Sequence, residues 1–138
     1  MSGLAGTGKD TWIARFCPEH PVVSLDGIRR ELGTAHGTDE ARVVHLAQER
    51  ANQLLRERRP FVWNATGLSG QQRKKQIDRF ERYGAHVRVV YLETAWAELL
   101  RRNAARPAQV PEHAIAGMLQ RLEPPMPWEA DAVEWICV

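Results

Sequence analysis

Apolar and polar positions alternate between two periods along the chain. Short apolar runs occur at Pro21–Leu25, ending at Asp26, and at Phe61–Asn64, entered from Pro60. His86–Leu92 is the strongest strand signal, rich in β-branched residues and preceded by Tyr83-Gly84. A last short run, Val133–Val138, closes the sequence. Helix-like stretches lie between them. Residues 9–16 form the first and 38–58 the longest. In the longest, Val43, Val44, Leu46, Ala47, Ala51, Leu54 and Leu55 recur at helical spacing, with Thr38 or Asp39 as the cap. Residues 69–83 follow a cap at Ser69, residues 94–105 carry Trp96, Leu99 and Leu100, and residues 111–122 open on a proline in the first turn. Pro124, Pro125 and Pro127 stop that helix and lead into the last strand.

Strands alternating with helices predict an α/β domain with a mainly parallel sheet. With 138 residues, no internal repeat and no long linker, the chain reads as a single domain. No apolar run approaches the ~20 residues of a membrane helix, and no signal peptide is evident, so a cytoplasmic protein is expected. Cys17 and Cys137 match no metal or redox spacing and are expected to be buried free thiols. The five histidines are scattered, which argues against a zinc site. A net charge of +2 is too small to diagnose nucleic-acid binding.

The clearest chemistry starts at Gly3. Gly3-Leu4-Ala5-Gly6-Thr7-Gly8-Lys9-Asp10-Thr11 fits the phosphate-loop pattern, with Asp10 where Ser or Thr is usual. Its glycines let backbone N–H groups curl around an anion, and the following helix adds the positive end of its dipole. Lys9 is placed to bridge the outer phosphates of a nucleotide, and Thr11 is next in line to contact phosphate. A carboxylate at Asp10 can ligate Mg²⁺ directly or through water, although it also puts negative charge near the phosphates.

Further motifs match one family in order. Val22-Val23-Ser24-Leu25-Asp26-Gly27-Ile28-Arg29, Phe61-Val62-Trp63-Asn64-Ala65-Thr66-Gly67 and Glu98-Leu99-Leu100-Arg101-Arg102-Asn103-Ala104-Ala105-Arg106 follow the loop. With it they resemble the P-loop kinases of the polynucleotide 5′-kinase type, from Gly3 to about Glu123. The resemblance implies a three-layer P-loop kinase fold over residues 1–138, with a helical lid at about 101–122. It implies ATP as donor, Mg²⁺ as cofactor and a nucleic-acid 5′-OH end as acceptor. Asp26 corresponds to the family's general base and Arg29 to its acceptor-phosphate ligand. Arg102 and Arg106 correspond to lid arginines on the donor phosphates, with Arg101 the substitute if the register slips. Asn64 stands near an acidic position of the phage member. As a neutral group it can bond an acceptor hydroxyl or a metal-bound water, but it cannot act as a base.

Plainer readings stand beside these. Asp26 can cap a short helix, with Arg29 a solvated charge. Arg102 and Arg106 can belong to an exposed basic helix end. Arg73, Lys74 and Lys75 read as a solvated basic stripe that could also steer a nucleic-acid backbone. Trp12, Trp63 and Trp96 read as core, while Trp128 is free to stack on a base. Two rival functions share the loop: a small-molecule kinase, and an inactive nucleotide-binding module of a larger protein. Phosphate loops normally follow an apolar strand. Only Met1 and Ser2 precede Gly3, so most of a first strand, about five residues, is expected to be absent from the sheet and its loss to be destabilising.

Overall fold

The structure is a computed structural model that describes residues 1–34, 37–105 and 109–138. In chain order the elements are α1 (Lys9–Phe16), β1 (Val22–Ser24), α2 (Leu25–Leu32), α3 (Glu40–Arg56), β2 (Val62–Asn64), α4 (Gly70–Glu81), β3 (Arg88–Glu93), α5 (Trp96–Ala104), α6 (Glu112–Gln120) and β4 (Ala132–Cys137). The order confirms the expected α/β alternation. It adds α2, which the sequence pattern did not separate from the strand before it. Ser24, not Asp26, caps α2: its side chain accepts the Gly27 N–H at 3.1 Å. The strand therefore ends at Ser24 and Asp26 lies in the first helical turn.

Two parallel pairs make the middle layer. β1 pairs with β2, Val22 opposite Val62 and Ser24 opposite Asn64. β3 pairs with β4, from Arg88 opposite Ala132 to Glu93 opposite Cys137. The Met1–Gly3 segment joins them. Ser2 bridges Tyr91 in parallel, donating to the Val90 carbonyl at 2.8 Å and accepting from Leu92 N–H at 3.0 Å. On its other side the Met1 amine donates to the Trp63 carbonyl at 2.8 Å, and Gly3 N–H to Thr66 at 3.0 Å. A first strand is thus present only as this short bridge.

Three apolar clusters hold the layers. Val43 and Ala47 of α3 pack with Val23 and Ile28. One helical turn on, Ala51 and Leu55 pack with Phe80 of α4. The i, i+4 series Val43, Ala47, Ala51 and Leu55 is the buried face that periodicity predicted. Leu4 of the glycine loop packs with Leu68, Leu99 of α5 and Ile115 of α6, which ties the loop to the two C-terminal helices.

Helix ends depart from expectation where backbone conformation decides. Asp39 precedes α3 in the left-handed region, φ 56°, and makes no side-chain capping bond. Ser69, by contrast, caps α4 as expected, in a reciprocal capping box with Gln72. Pro111 lies just before α6, not in its first turn. Trp96 is exposed instead of core, and Trp12 and Trp63 are half-buried. Both cysteines are free, but Cys137 is exposed.

The basic stripe on α4 splits. Arg73 is 6% exposed and is not part of a solvated face. Its guanidinium makes a two-point ion pair with Glu129, 2.7 and 2.9 Å, and donates to the carbonyls of Gly67, Leu68 and Glu123. Lys74 pairs with Asp78 one turn on. Among the described residues no helix is long and apolar enough to cross a membrane.

Candidate functional site

The glycine loop is built on positive φ angles. Gly3, Gly6 and Gly8 have φ of 133°, 90° and 90°. At Gly3 an added Cβ would lie 2.5 Å from the Leu92 carbonyl oxygen, so a side chain is excluded by the β3 backbone as well as by conformation. Gly8 is the left-handed residue from which α1 starts. Thr7 is buried, and its hydroxyl donates to the Leu4 carbonyl at 3.0 Å, bracing the turn from inside. Lys9 folds over the loop, its Nζ donating to the carbonyls of Gly3 and Leu4, both at 2.8 Å. Thr11 is exposed in the first turn of α1.

Asp10 and Asn64 are 54 residues apart and meet beside this loop. Asn64 Nδ2 donates to Asp10 Oδ1 at 2.7 Å. Asn64 sits at the C-terminal end of β2, where parallel strands present their ligand-binding rim. It is buried, and its Oδ1 has no hydrogen-bond partner among the described residues. An orphaned buried acceptor beside an exposed carboxylate is a donor set that suits a hard cation or its water. Among the described residues, no group of three or more His, Cys, Asp or Glu forms a metal cluster.

Asp26 and Arg29 follow the neighbouring strand, β1. They face each other one turn apart on α2, Arg29 Nη1 to Asp26 Oδ1 at 2.5 Å. Arg29 is also held by Glu40 of α3 through two bonds, 2.9 and 2.6 Å. The Glu40 bond, aided by the charges of Glu40 and Asp26, holds the Arg29 guanidinium above its ordinary pKa. Asp26 remains exposed beside it. Glu40 is a residue that the sequence reading missed. It stands 11 positions from Arg29, at the start of the next helix.

Arg102 reaches the loop from α5. Its Nη1 lies 3.4 Å from the Thr7 carbonyl and 3.4 Å from where a Gly8 Cβ would be. Glu98 holds it at 2.6 Å and also binds Arg101 twice. Those bonds, first from Arg101 and then from Arg102, pull the Glu98 carboxyl down to about 2. Arg101 is exposed, so of these two it is Arg102 that lies over the loop. The Glu98 spacing of three and four from these arginines was a legible signal. Arg106 lies outside the described residues. Buried Asn103 clips Val110 through both of its backbone groups, at 2.7 and 3.0 Å, and so ties α5 to the approach to α6.

The arrangement gathers a backbone cradle, Lys9 and Arg102 at one rim, with the Asp10–Asn64 pair beside them. That is equipment for holding a polyanion with an associated cation. No curated protein matches the chain closely enough to count as a relative. A family model described as an AAA domain matches residues 1–125. With its glycine cradle, lysine and parallel strands, the chain belongs to that AAA domain family of P-loop nucleotide-binding proteins.

Proposed function

We propose that this protein is an ATP-dependent kinase that transfers the γ-phosphoryl group to a hydroxyl, with the 5′-OH end of a polynucleotide as the preferred acceptor. The observation that carries the reading is Arg102. An α5 guanidinium laid 3.4 Å from the Thr7 carbonyl puts a second cation over the cradle that Lys9 already serves. A module that only retains nucleotide does not need a charge stabiliser at that point, whereas phosphoryl transfer does.

The roles follow from placement. The amides of Gly6–Lys9 and the Lys9 ammonium hold the outer phosphates of ATP, Lys9 exchanging the Gly3 and Leu4 carbonyls for phosphate oxygens. Arg102 neutralises charge that develops on the transferred group. Asp10 and Asn64 are the residues that would hold Mg²⁺ or its water, through the free Asp10 oxygen and the orphaned Asn64 Oδ1. Bound there, Mg²⁺ would supply charge neutralisation of the phosphate oxygens. Asp26, exposed at the rim, accepts the proton of the attacking hydroxyl. Arg29 beside it orients an anionic acceptor, and a nucleic-acid phosphate next to the 5′ end fits that description.

The polynucleotide acceptor rests on the motif resemblance and on Arg29. The test is a panel of ATP with 5′-OH DNA and RNA oligonucleotides and, separately, small hydroxyl substrates. Transfer to an oligonucleotide end is the expected result. Transfer only to a small molecule would overturn the acceptor, and ATP binding without transfer to anything would overturn the kinase.

A further inference from the structure

The nucleotide reading makes no use of the outer edge of β4. Among the described residues β4 pairs with β3 alone. Ala132 N–H donates to the Val87 carbonyl at 3.3 Å, and Val138 N–H to the Glu93 carbonyl at 2.8 Å. Alternation along the ladder therefore turns the backbone groups of Ala132, Glu134 and Ile136 toward β3 and those of Val133, Trp135 and Cys137 outward. No other described residue hydrogen-bonds those outward groups.

Free strand edges are ordinarily blunted by a bulge, a proline or a charge. β4 carries none of these at its outward positions. Its register with β3 is unbroken from Ala132 to Cys137. Its one charge, Glu134, stands at an inward position and is tied to Arg88 at 2.7 Å. Trp135 is 55% exposed, although Tyr91 and the Pro125 carbonyl fix its ring. Met126 and Pro127 border an open groove of about 420 Å³ with Val133 and Trp135. Asp131 leads into the strand, its carboxyl held below the usual range by the Val87 N–H. With Glu134 it makes this edge a poor seat for a nucleic-acid backbone.

We propose that β4 pairs with β4 of a second copy of this chain, antiparallel and centred on Trp135, so that two middle layers become one continuous sheet. Charge and backbone parity select this occupant and this register. With Trp135 on the twofold axis, Trp135 faces itself and Val133 faces Cys137. These are hydrogen-bonded pairs, so every outward N–H and C=O from Val133 to Cys137 finds a partner. Moving the axis to Glu134 or Ile136 loses one of these pairs, and the Glu134 axis also sets two carboxylates face to face. In the Trp135 register Glu134 lies opposite Ile136 instead. Pairing consumes the edge on both copies, so assembly closes at two. Antiparallel strands point the two phosphate-loop rims in opposite directions, which leaves both open. The edge is only ~20 Å long, so the contact is of the small, weak class and fills at high protein concentration.

The test is sedimentation of the 138-residue chain from about 5 to about 500 µM. The expected result is a monomer–dimer equilibrium that stops at the dimer. Cys137→Pro removes an outward N–H and leaves the β3 ladder intact, and should weaken the dimer about tenfold. Trp135→Lys sets two ammonium groups face to face across the axis and should leave only monomer. Thermal melts show that both variants are folded. Register is read separately in a Cys17→Ser background. Paired positions have Cα atoms ~5.5 Å apart, within disulfide reach. Val133→Cys should therefore link two chains through Cys137 on mild oxidation, and Ala132→Cys, on the opposite face, should not. Monomer at every concentration together with no Val133→Cys link overturns the proposal. So does growth past the dimer, a dimer indifferent to both edge variants, or equal cross-linking from position 132.

Discussion

Arg73 offers the sharpest test of how the chain is held together. Its side chain is 5% exposed and that of its partner Glu129 16%. Five donor–acceptor contacts tie α4 to the loop after β2 and to the turn that leads into β4. In Arg73→Met the apolar stem is kept and all five are lost. Glu129 is left a half-buried carboxylate held by the Met126 N–H, and three carbonyls lose a donor. Breaking a buried pair from one side costs ~3–5 kcal/mol. At ~3 °C per kcal/mol for a domain of this size, Tm should fall by about 9–15 °C. Removing both partners (R73M/E129M) should cost less than the sum of the single changes, with a coupling of ~2 kcal/mol or more in urea melts. The pair also has a pH signature. The Arg73 bond holds the Glu129 carboxyl below its ordinary value of 4.5. Its folded pKa is depressed, so its contribution is full above 4.5 and is lost as pH falls through the lower folded value. Arg73→Met should therefore flatten stability against pH in the acid range. A Tm loss under 3 °C, or strictly additive single and double changes, would refute the reasoning.

Other outcomes follow from the loop and its rim. Gly3→Ala forces a Cβ to 2.5 Å from the Leu92 carbonyl at a positive φ, and should lower stability by about 2 kcal/mol or more in denaturant melts. Under the proposed function, Asp26→Asn should keep ATP affinity within about twofold and cut turnover by ~10²-fold; equal turnover would remove Asp26 as base. Lys9→Ala should weaken nucleotide binding measured by calorimetry at least tenfold, about 1.4 kcal/mol, because a charge-assisted phosphate contact is lost. Glu40→Gln loosens the hold on Arg29 and should change the acceptor KM while leaving ATP affinity unaltered; a shift in ATP affinity alone would show that Arg29 serves the donor side.

The glycine loop was legible because its signal is local: three glycines and a lysine at fixed spacing describe one turn and one helix start. The long α3 face was legible for the same reason. What escaped is what depends on distant partners. The run Arg73-Lys74-Lys75 gives no hint that only the first residue turns inward; the carbonyls that draw it in belong to residues 67, 68 and 123. Asn64 and Asp10 look like two unrelated departures from a motif, yet each is the other's partner across 54 positions. α2 was hidden because Gly27 weakens its helical pattern, and the Ser24 cap that rescues it bonds that same glycine.

These partnerships also set what an anion must displace to enter the cradle. Clustered cations repel one another unless each is held by an acceptor. Here each cation has an internal substitute: Lys9 rests on the Gly3 and Leu4 carbonyls, Arg102 on Glu98, and Arg29 on Glu40 and Asp26. A phosphate must displace these contacts, so the net gain on binding is smaller than the gross attraction. The substitutes differ in what they leave behind. The Gly3 and Leu4 carbonyls are neutral acceptors, so exchanging those two contacts for charged phosphate oxygens strengthens the bonds that Lys9 makes there. Glu98, kept ionised down to about pH 2, retains Arg101 when Arg102 turns to the loop. Glu40 and Asp26 hold Arg29 more firmly, by two carboxylates at once. The donor side of the site is therefore easier to recruit than the acceptor side, and under the proposed function nucleotide should bind first, with acceptor binding carrying the larger rearrangement.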